Sequence, residues 1–168
     1  MRHCGIPTRL LDWTETFSTA LYFALRRNKP NPCVWVLNPY DLNKRSYNRS
    51  NVLNTLIDLE FDYFKGFIAD SVNPNRTPIA IVPITQSMRV FAQKSVFTLH
   101  RTKRGAIEKL FPDCVTKIEI PADAIPGEKS FLNLSGVNEY SLFTDPDGLG
   151  RYLVERHCKS RLPNYLPQ

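Results

Sequence analysis

The stretch from His3 to Trp13, HCGIPTRLLDW, is the most densely specified part of the chain. Arg9 is a permanently charged, planar donor suited to a carboxylate or a phosphate. Asp12, three positions on, is near enough to orient Arg9 or a substrate hydroxyl. Trp13 offers a stacking face, and His3 can donate or accept a proton near neutrality. Gly5 and Pro7 fix a turn and bring the backbone in close. With Thr8, these residues describe a pocket for a nucleotide-like ligand. The same residue types also describe a scaffold, with Arg9 and Asp12 as an internal ion pair and Trp13 in the core. Residue types alone leave both open.

The elements around this opening loop must hold it in place. Residues 14–28, TETFSTALYFALRRN, put Phe17, Ala20, Leu21, Ala24 and Leu25 on one face of a helix. Thr14 or Thr16 can cap it, Arg26 and Arg27 suit its C-terminal end, and Pro30 and Pro32 stop it. CVWVL (33–37) reads as a buried strand, and the polar, turn-rich residues 38–54 as a loop. A helix through Leu56, Leu59 and Phe64 follows, then a strand at 79–84. Residues 87–100 are the clearest β region. Met88, Val90 and Ala92 alternate with Arg89, Phe91 and Gln93, and Val96, Phe97 and Leu99 resume after a turn or bulge at Lys94–Ser95. CVTKIEIP (114–121) is a further strand with Thr116, Ile118 and Ile120 on one face. A short helix ends at Ser135–Gly136, and a terminal helix after Asp145–Gly148 turns Leu149, Tyr152 and Leu153 inward. The pattern is α+β: a single domain with a small mixed or antiparallel sheet flanked by helices, spanning 1–160, with a tail at 161–168.

Bulk properties narrow the function classes. The 168 residues are 42% hydrophobic, enough for one core. A net charge of +6 permits a nucleotide or nucleic-acid ligand, though the basic residues are scattered. The 4 cysteines include no C-x-x-C pair, which suits free thiols in a reducing cytosol. His3–Cys4 and His157–Cys158 are adjacent ligand pairs, poor geometry for zinc, so no metal is expected. Apolar runs fall short of a membrane span, and no signal peptide is evident, so a cytoplasmic protein with no membrane partner is expected. There is no Gly-rich dinucleotide fingerprint and no P-loop.

The segment RHCGIPTRLLDWTETFSTALYFAL resembles the signature of the FRG-domain family, Q-H-Y-G-x-P-T-R-L-L-D-W-T followed by A-L-Y/F-F-A. His3, Gly5, Pro7, Thr8, Arg9, Leu10, Leu11, Asp12, Trp13 and Thr14 match it, while Arg2 and Cys4 depart from it. CVWVLNP, MRVFAQKSVFTLH and LFTDPDGLGRYL resemble later segments of the family, in order, with Ser95 in a glycine position. The family pattern begins earlier, with an aromatic–Arg–Gly motif that this sequence lacks. The expectation is therefore a shortened domain, weak or inactive alone, with a partner chain able to supply the missing N-terminal strand.

By analogy, the layout is similar to ADP-ribosyltransferase-like folds of toxin or defence type. That resemblance implies NAD as cofactor. His3, Arg9, Asp12 and Gln93 are then the catalytic candidates, and Thr8, Arg9, Trp13 and Phe97 the cofactor-binding ones. Gln93, read as a late-strand residue, would stabilise the developing oxocarbenium, with Glu139 as substitute. The rival readings are a non-catalytic module that binds nucleic acid or protein through its basic surface, and a fragment without activity.

Overall fold

The computed structural model describes residues 8–54, 78–83, 87–100 and 105–158. In chain order the elements are β1 (Leu10–Thr14), α1 (Phe17–Leu25), β2 (Cys33–Leu37), α2 (Pro39–Tyr47), β3 (Leu53–Asn54), β4 (Ile79–Val82), α3 (Met88–Ala92), β5 (Ser95–Leu99), α4 (Ile107–Leu110), β6 (Val115–Glu119), α5 (Ile125–Leu134), α6 (Glu139–Leu142) and α7 (Pro146–Leu153). A 3₁₀ turn, Pro112–Cys114, precedes β6, and a π-helical turn, Val154–Cys158, follows α7. The class is α+β, as the sequence indicates. The chain divides into two compact units. One holds Met1–Glu15, Cys33–Ile84 and Ser95–Glu119, and the other Thr16–Pro32, Thr85–Lys94 and Ile120–Gln168. The helix read at Leu56–Phe64 and the tail at 161–168 lie outside the described residues.

In the first unit a four-stranded mixed sheet runs β1-β5-β4-β3, with β3 and β4 parallel and the other pairs antiparallel. Strand alternation sorts its side chains cleanly. Leu53, Ile79, Ile81 and Leu99 form a cluster on one face, with Leu10, Tyr47 and Phe97 packed against it. Ala80 faces the other way and joins Leu42 of α2, Ile107 of α4 and Cys114, with Trp13 packed against them. The sheet is therefore covered on both sides. That explains why LLDWT is a strand and not the expected loop: its two faces serve two different cores, so it lacks the apolar–polar alternation of a half-exposed strand. A separate two-stranded sheet pairs β2 with β6. Of CVWVL only Val34 is buried, because with a single partner strand Trp35 and Val36 remain exposed.

The expected loop at 38–54 contains α2. Asn38 caps it, its Oδ1 accepting from the backbone N–H of Tyr40 (3.1 Å) and Asp41 (3.3 Å), and Pro39 occupies the first turn. The helix buries Leu42, Asn43 and Ser46, mostly polar residues, so hydrophobic periodicity could not disclose it. Asn43 is fully buried. Its Nδ2 donates to the carbonyls of Asn51 (2.7 Å) and Ala80 (2.9 Å), and its Oδ1 accepts from the Ala80 N–H at 2.6 Å. The carboxamide thus acts as a surrogate peptide group on β4, just before β3 takes over the pairing at Leu53–Ile81.

The reading of 87–100 as β on both sides of a turn or bulge at Lys94–Ser95 holds for its second half and for the turn. Ser87 caps α3 by accepting from the Val90 N–H at 3.3 Å, and Lys94 turns the chain with φ 47° before β5 begins. Gln93 is therefore the C-cap of a helix and not a late-strand residue. A capped single turn overrides the alternation, because Ser87 offers its N-terminus the hydrogen bond that a strand would have sought from a neighbour.

The second unit is helical. α1 buries Leu21 and Leu25 and packs against α5, which contributes Leu132; Phe17, expected on the buried face, is 52% exposed. In α7 the expected inner residues Leu149 and Leu153 are 38% and 45% exposed. The helix makes its close approach through Gly148 instead, where a Cβ would collide with the Phe143 carbonyl. Asp145 caps α7 by accepting from the Gly148 N–H at 2.6 Å.

Asn43→Ala should destabilise the chain by about 2–4 kcal/mol, since it strands both backbone groups of Ala80 in the core. Urea denaturation followed by far-ultraviolet circular dichroism measures this. A midpoint unchanged from wild type would show that the carboxamide is dispensable.

Candidate functional site

Two of the segments that carry the family resemblance, RLLDWT and SVFTLH, pair as β1 and β5. The register runs from Leu10↔Leu99 to Thr14↔Ser95. The ladder continues one pair further, the His100 N–H donating to the Arg9 carbonyl at 2.8 Å. Alternation places Arg9, Leu11 and Trp13 on one face of β1, with Thr98 and His100 on the same face of β5.

A hydrogen-bonded chain runs across that face. Trp13 Nε1 donates to Thr98 Oγ1 at 3.0 Å, and Thr98 Oγ1 lies 3.0 Å from His100 Nε2. Thr98 is fully buried. Its hydroxyl has one proton to give and already accepts from the indole. Its oxygen has two lone pairs and one proton, so it can meet the indole N–H and His100 Nε2 at once. The half-buried His100 is thereby oriented beside the exposed Arg9. Residue-type reasoning missed Thr98 and His100, although FTLH was part of the resemblance. Their role needs the indole, and the indole is 85 positions away in sequence.

The remaining candidates separate. Thr8 accepts from the Leu10 N–H at 3.4 Å, a local contact that starts β1. Asp12 is exposed on the opposite face from Arg9, across from Phe97. Three-residue spacing would bring the two together on a helix, but it divides them on a strand. Trp13 and Phe97, both partly buried, pack against the two core clusters. Gln93 belongs to the second unit, where its Nε2 donates to the Leu142 carbonyl at 2.9 Å. His3 lies outside the described residues.

In the second unit Glu139 is a buried carboxylate with three partners. Its Oε1 accepts from Arg26 Nη2 at 2.7 Å and from Arg151 Nε at 2.6 Å, and its Oε2 accepts from the Tyr22 hydroxyl. Burial, then the hydrogen bond it donates to Glu139, push the Tyr22 phenol well above its ordinary range. The Arg151 guanidinium is held more firmly charged by its hydrogen bond to Glu139. A carboxylate so fully engaged on α6 acts as a brace. It does not occupy the late-strand position considered for it as a substitute for Gln93. Among the described residues, no cluster of three or more His, Cys, Asp or Glu could hold a metal ion.

Two outcomes follow. Thr98→Val, close in shape, should cost about 1–3 kcal/mol in urea denaturation, because it leaves the Trp13 N–H and the His100 ring without the hydroxyl between them. Tyr22 should stay protonated in an ultraviolet titration that ionises ordinary tyrosines near pH 10, and Glu139→Gln should bring its transition down. The sign follows from the raised value. Below pH 10 the phenol is protonated whether the chain is folded or not. Above it the unfolded chain releases the proton first, so this contribution to stability is lost as pH rises.

Residues 1–32 match the family model described as FRG domain, a segment that supplies β1 to the first unit and α1 to the second. No curated protein and no solved structure matches the chain. Among the described residues no helix is long and apolar enough to cross a membrane. The HCGIPTRLLDWT signature falls within the matched residues 1–32, so the similarity to the FRG domain is carried by this N-terminal segment.

Proposed function

We propose that this chain binds a nucleotide, with NAD as the ligand, through its phosphates at the Arg9–His100 end of the β1/β5 ladder. The observation that carries this reading is the cross-strand placement of the exposed Arg9 opposite His100, whose ring is held by Thr98. Arg9 supplies a forked cation for phosphate oxygens. His100, its Nε2 held by Thr98, is the second polar group at this end of the ladder. NAD bound there would supply an activated ADP-ribose for transfer, the chemistry that the ADP-ribosyltransferase-like resemblance implies. A toxin or defence role is the setting that goes with it. Trp13 serves this site by holding Thr98, not by stacking on a base. Gln93 has no part in the reading.

Calorimetry of the chain with NAD and ADP-ribose is the test, with nicotinamide release as the readout for transfer chemistry. Arg9→Ala should weaken binding about 10–100-fold, the worth of one or two charge-assisted hydrogen bonds. His100→Gln, which keeps a donor but changes its placement, should weaken it about threefold to tenfold. Absence of NAD binding by the wild-type chain, or binding indifferent to Arg9→Ala, would remove this reading. Tight salt-dependent binding of an oligonucleotide in its place would favour the nucleic-acid module.

A further inference from the structure

The second unit contains an open groove of about 880 Å³ between α1, α5, α6 and α7, a volume suited to a small-molecule ligand. Arg26, Lys129, Arg151 and Arg156 line it, together with the carboxylates of Glu139 and Glu155. Beneath it lies an imbalance of charge. The guanidinium carbons of Arg26 and Arg89 each sit 4.5 Å from the centroid of the Phe143 ring, and that of Arg151 sits at 5.6 Å. Phe143 is 3% exposed, so the ring is a fixed post with three cations around it. Glu139 is the carboxylate that binds two of those cations, and Oε1 takes both of its contacts. The groove lining thus carries four cations, Arg26, Lys129, Arg151 and Arg156, against two carboxylates, Glu139 and Glu155, an excess that favours a further anion.

The arginines are also aimed. Glu139 engages Nη2 of Arg26 and Nε of Arg151, which leaves the terminal nitrogens of Arg151 outside the ion pair. Stacking on Phe143 and pairing with Glu139 fix both guanidiniums before any ligand arrives, so little side-chain entropy remains to be lost on binding. Lys129 donates to Asn28 Oδ1 at 3.1 Å, which holds its ammonium at the rim with donors to spare. Arg156 Nη1 donates to the Tyr152 hydroxyl at 2.6 Å, which fixes the opposite rim.

We propose that this groove is a second binding site, distinct from the Arg9–His100 end of β1/β5, and that it takes the phosphoryl group of a small phosphorylated ligand. Arg151 is the forked receptor, Arg26 the second cation, and Lys129 and Arg156 the rim. The shared chemistry is a phosphate dianion, supplied either by a mononucleotide or by free phosphate.

Titration of the chain with AMP, inorganic phosphate and adenosine, followed by calorimetry and by ³¹P resonance shifts, tests this. AMP or phosphate should bind, adenosine should not, and affinity should fall as salt rises. Tighter binding of AMP than of phosphate identifies a nucleotide; equal binding identifies the phosphate alone. Arg151→Lys keeps the charge but loses the fork, and should weaken binding about tenfold. Lys129→Ala lies outside the Glu139 network, so it should fold normally and weaken binding about threefold. Arg9→Ala should leave this binding unchanged, which separates its outcome from that of the NAD site. Silence toward both AMP and phosphate would overturn the proposal. So would binding that Arg9→Ala abolishes while Arg151→Lys and Lys129→Ala leave it intact.

Discussion

Burying a polar group costs free energy unless it finds a partner, and the described part of this chain respects that constraint throughout. No buried side-chain nitrogen or oxygen among the described residues is left without a hydrogen bond. Three residues show what the constraint organises. Asn43 must be matched on both ends of its carboxamide, and this ties α2 to the backbone of β4. Thr98 must be matched on its hydroxyl, which draws the Trp13 indole and the His100 ring into one row. Glu139 must be matched on both oxygens, which gathers Tyr22, Arg26 and Arg151 from α1 and α7 onto α6. Each of these groups would be expensive alone. Each acts as a positional device once paired, because no other placement of its partners satisfies it.

The same demand links scaffold to chemistry. Trp13 sits in the family signature, where an aromatic residue invites a stacking role. Its ring instead fills the cluster around Leu42, Ala80, Ile107 and Cys114, and its N–H sets Thr98. The imidazole at the end of that row owes its orientation to a core residue. In the second unit Glu139 looks on paper like a catalytic carboxylate. Its two oxygens are taken up by two arginines and a tyrosine, and it fixes both cations. In both places a residue of reactive type is engaged by the scaffold and fixes the partners it holds.

What was legible in the sequence was local. The apolar spacing from Phe17 to Leu25 specified α1, and the short apolar runs specified β2 and β4. The stretch at 115–119 read correctly as a strand, and Ser135–Gly136 as a helix end. The signature residues were legible as a group, and their order carried the resemblance to the FRG domain. Where a capped turn or a polar-faced helix was involved, the pattern misled. α2 buries Asn43 and Ser46 in place of apolar residues, and α3 interrupts an apparent β alternation because Ser87 caps it.

The sequence by itself determined the α+β class, the positions of most elements, and which residues carry charge and aromatic surface near the start of the chain. Tertiary structure alone decided what those residues face. Strand pairing across 85 positions put Thr98 and His100 beside Arg9 and Trp13, and strand alternation turned Asp12 away from them. Helix packing put Arg26 and Arg151, far apart in the chain, onto one carboxylate and one ring. Local propensity reaches only a few residues along the backbone. Non-local pairing, driven by burial and by the need to match buried polar groups, chooses partners that no local pattern names.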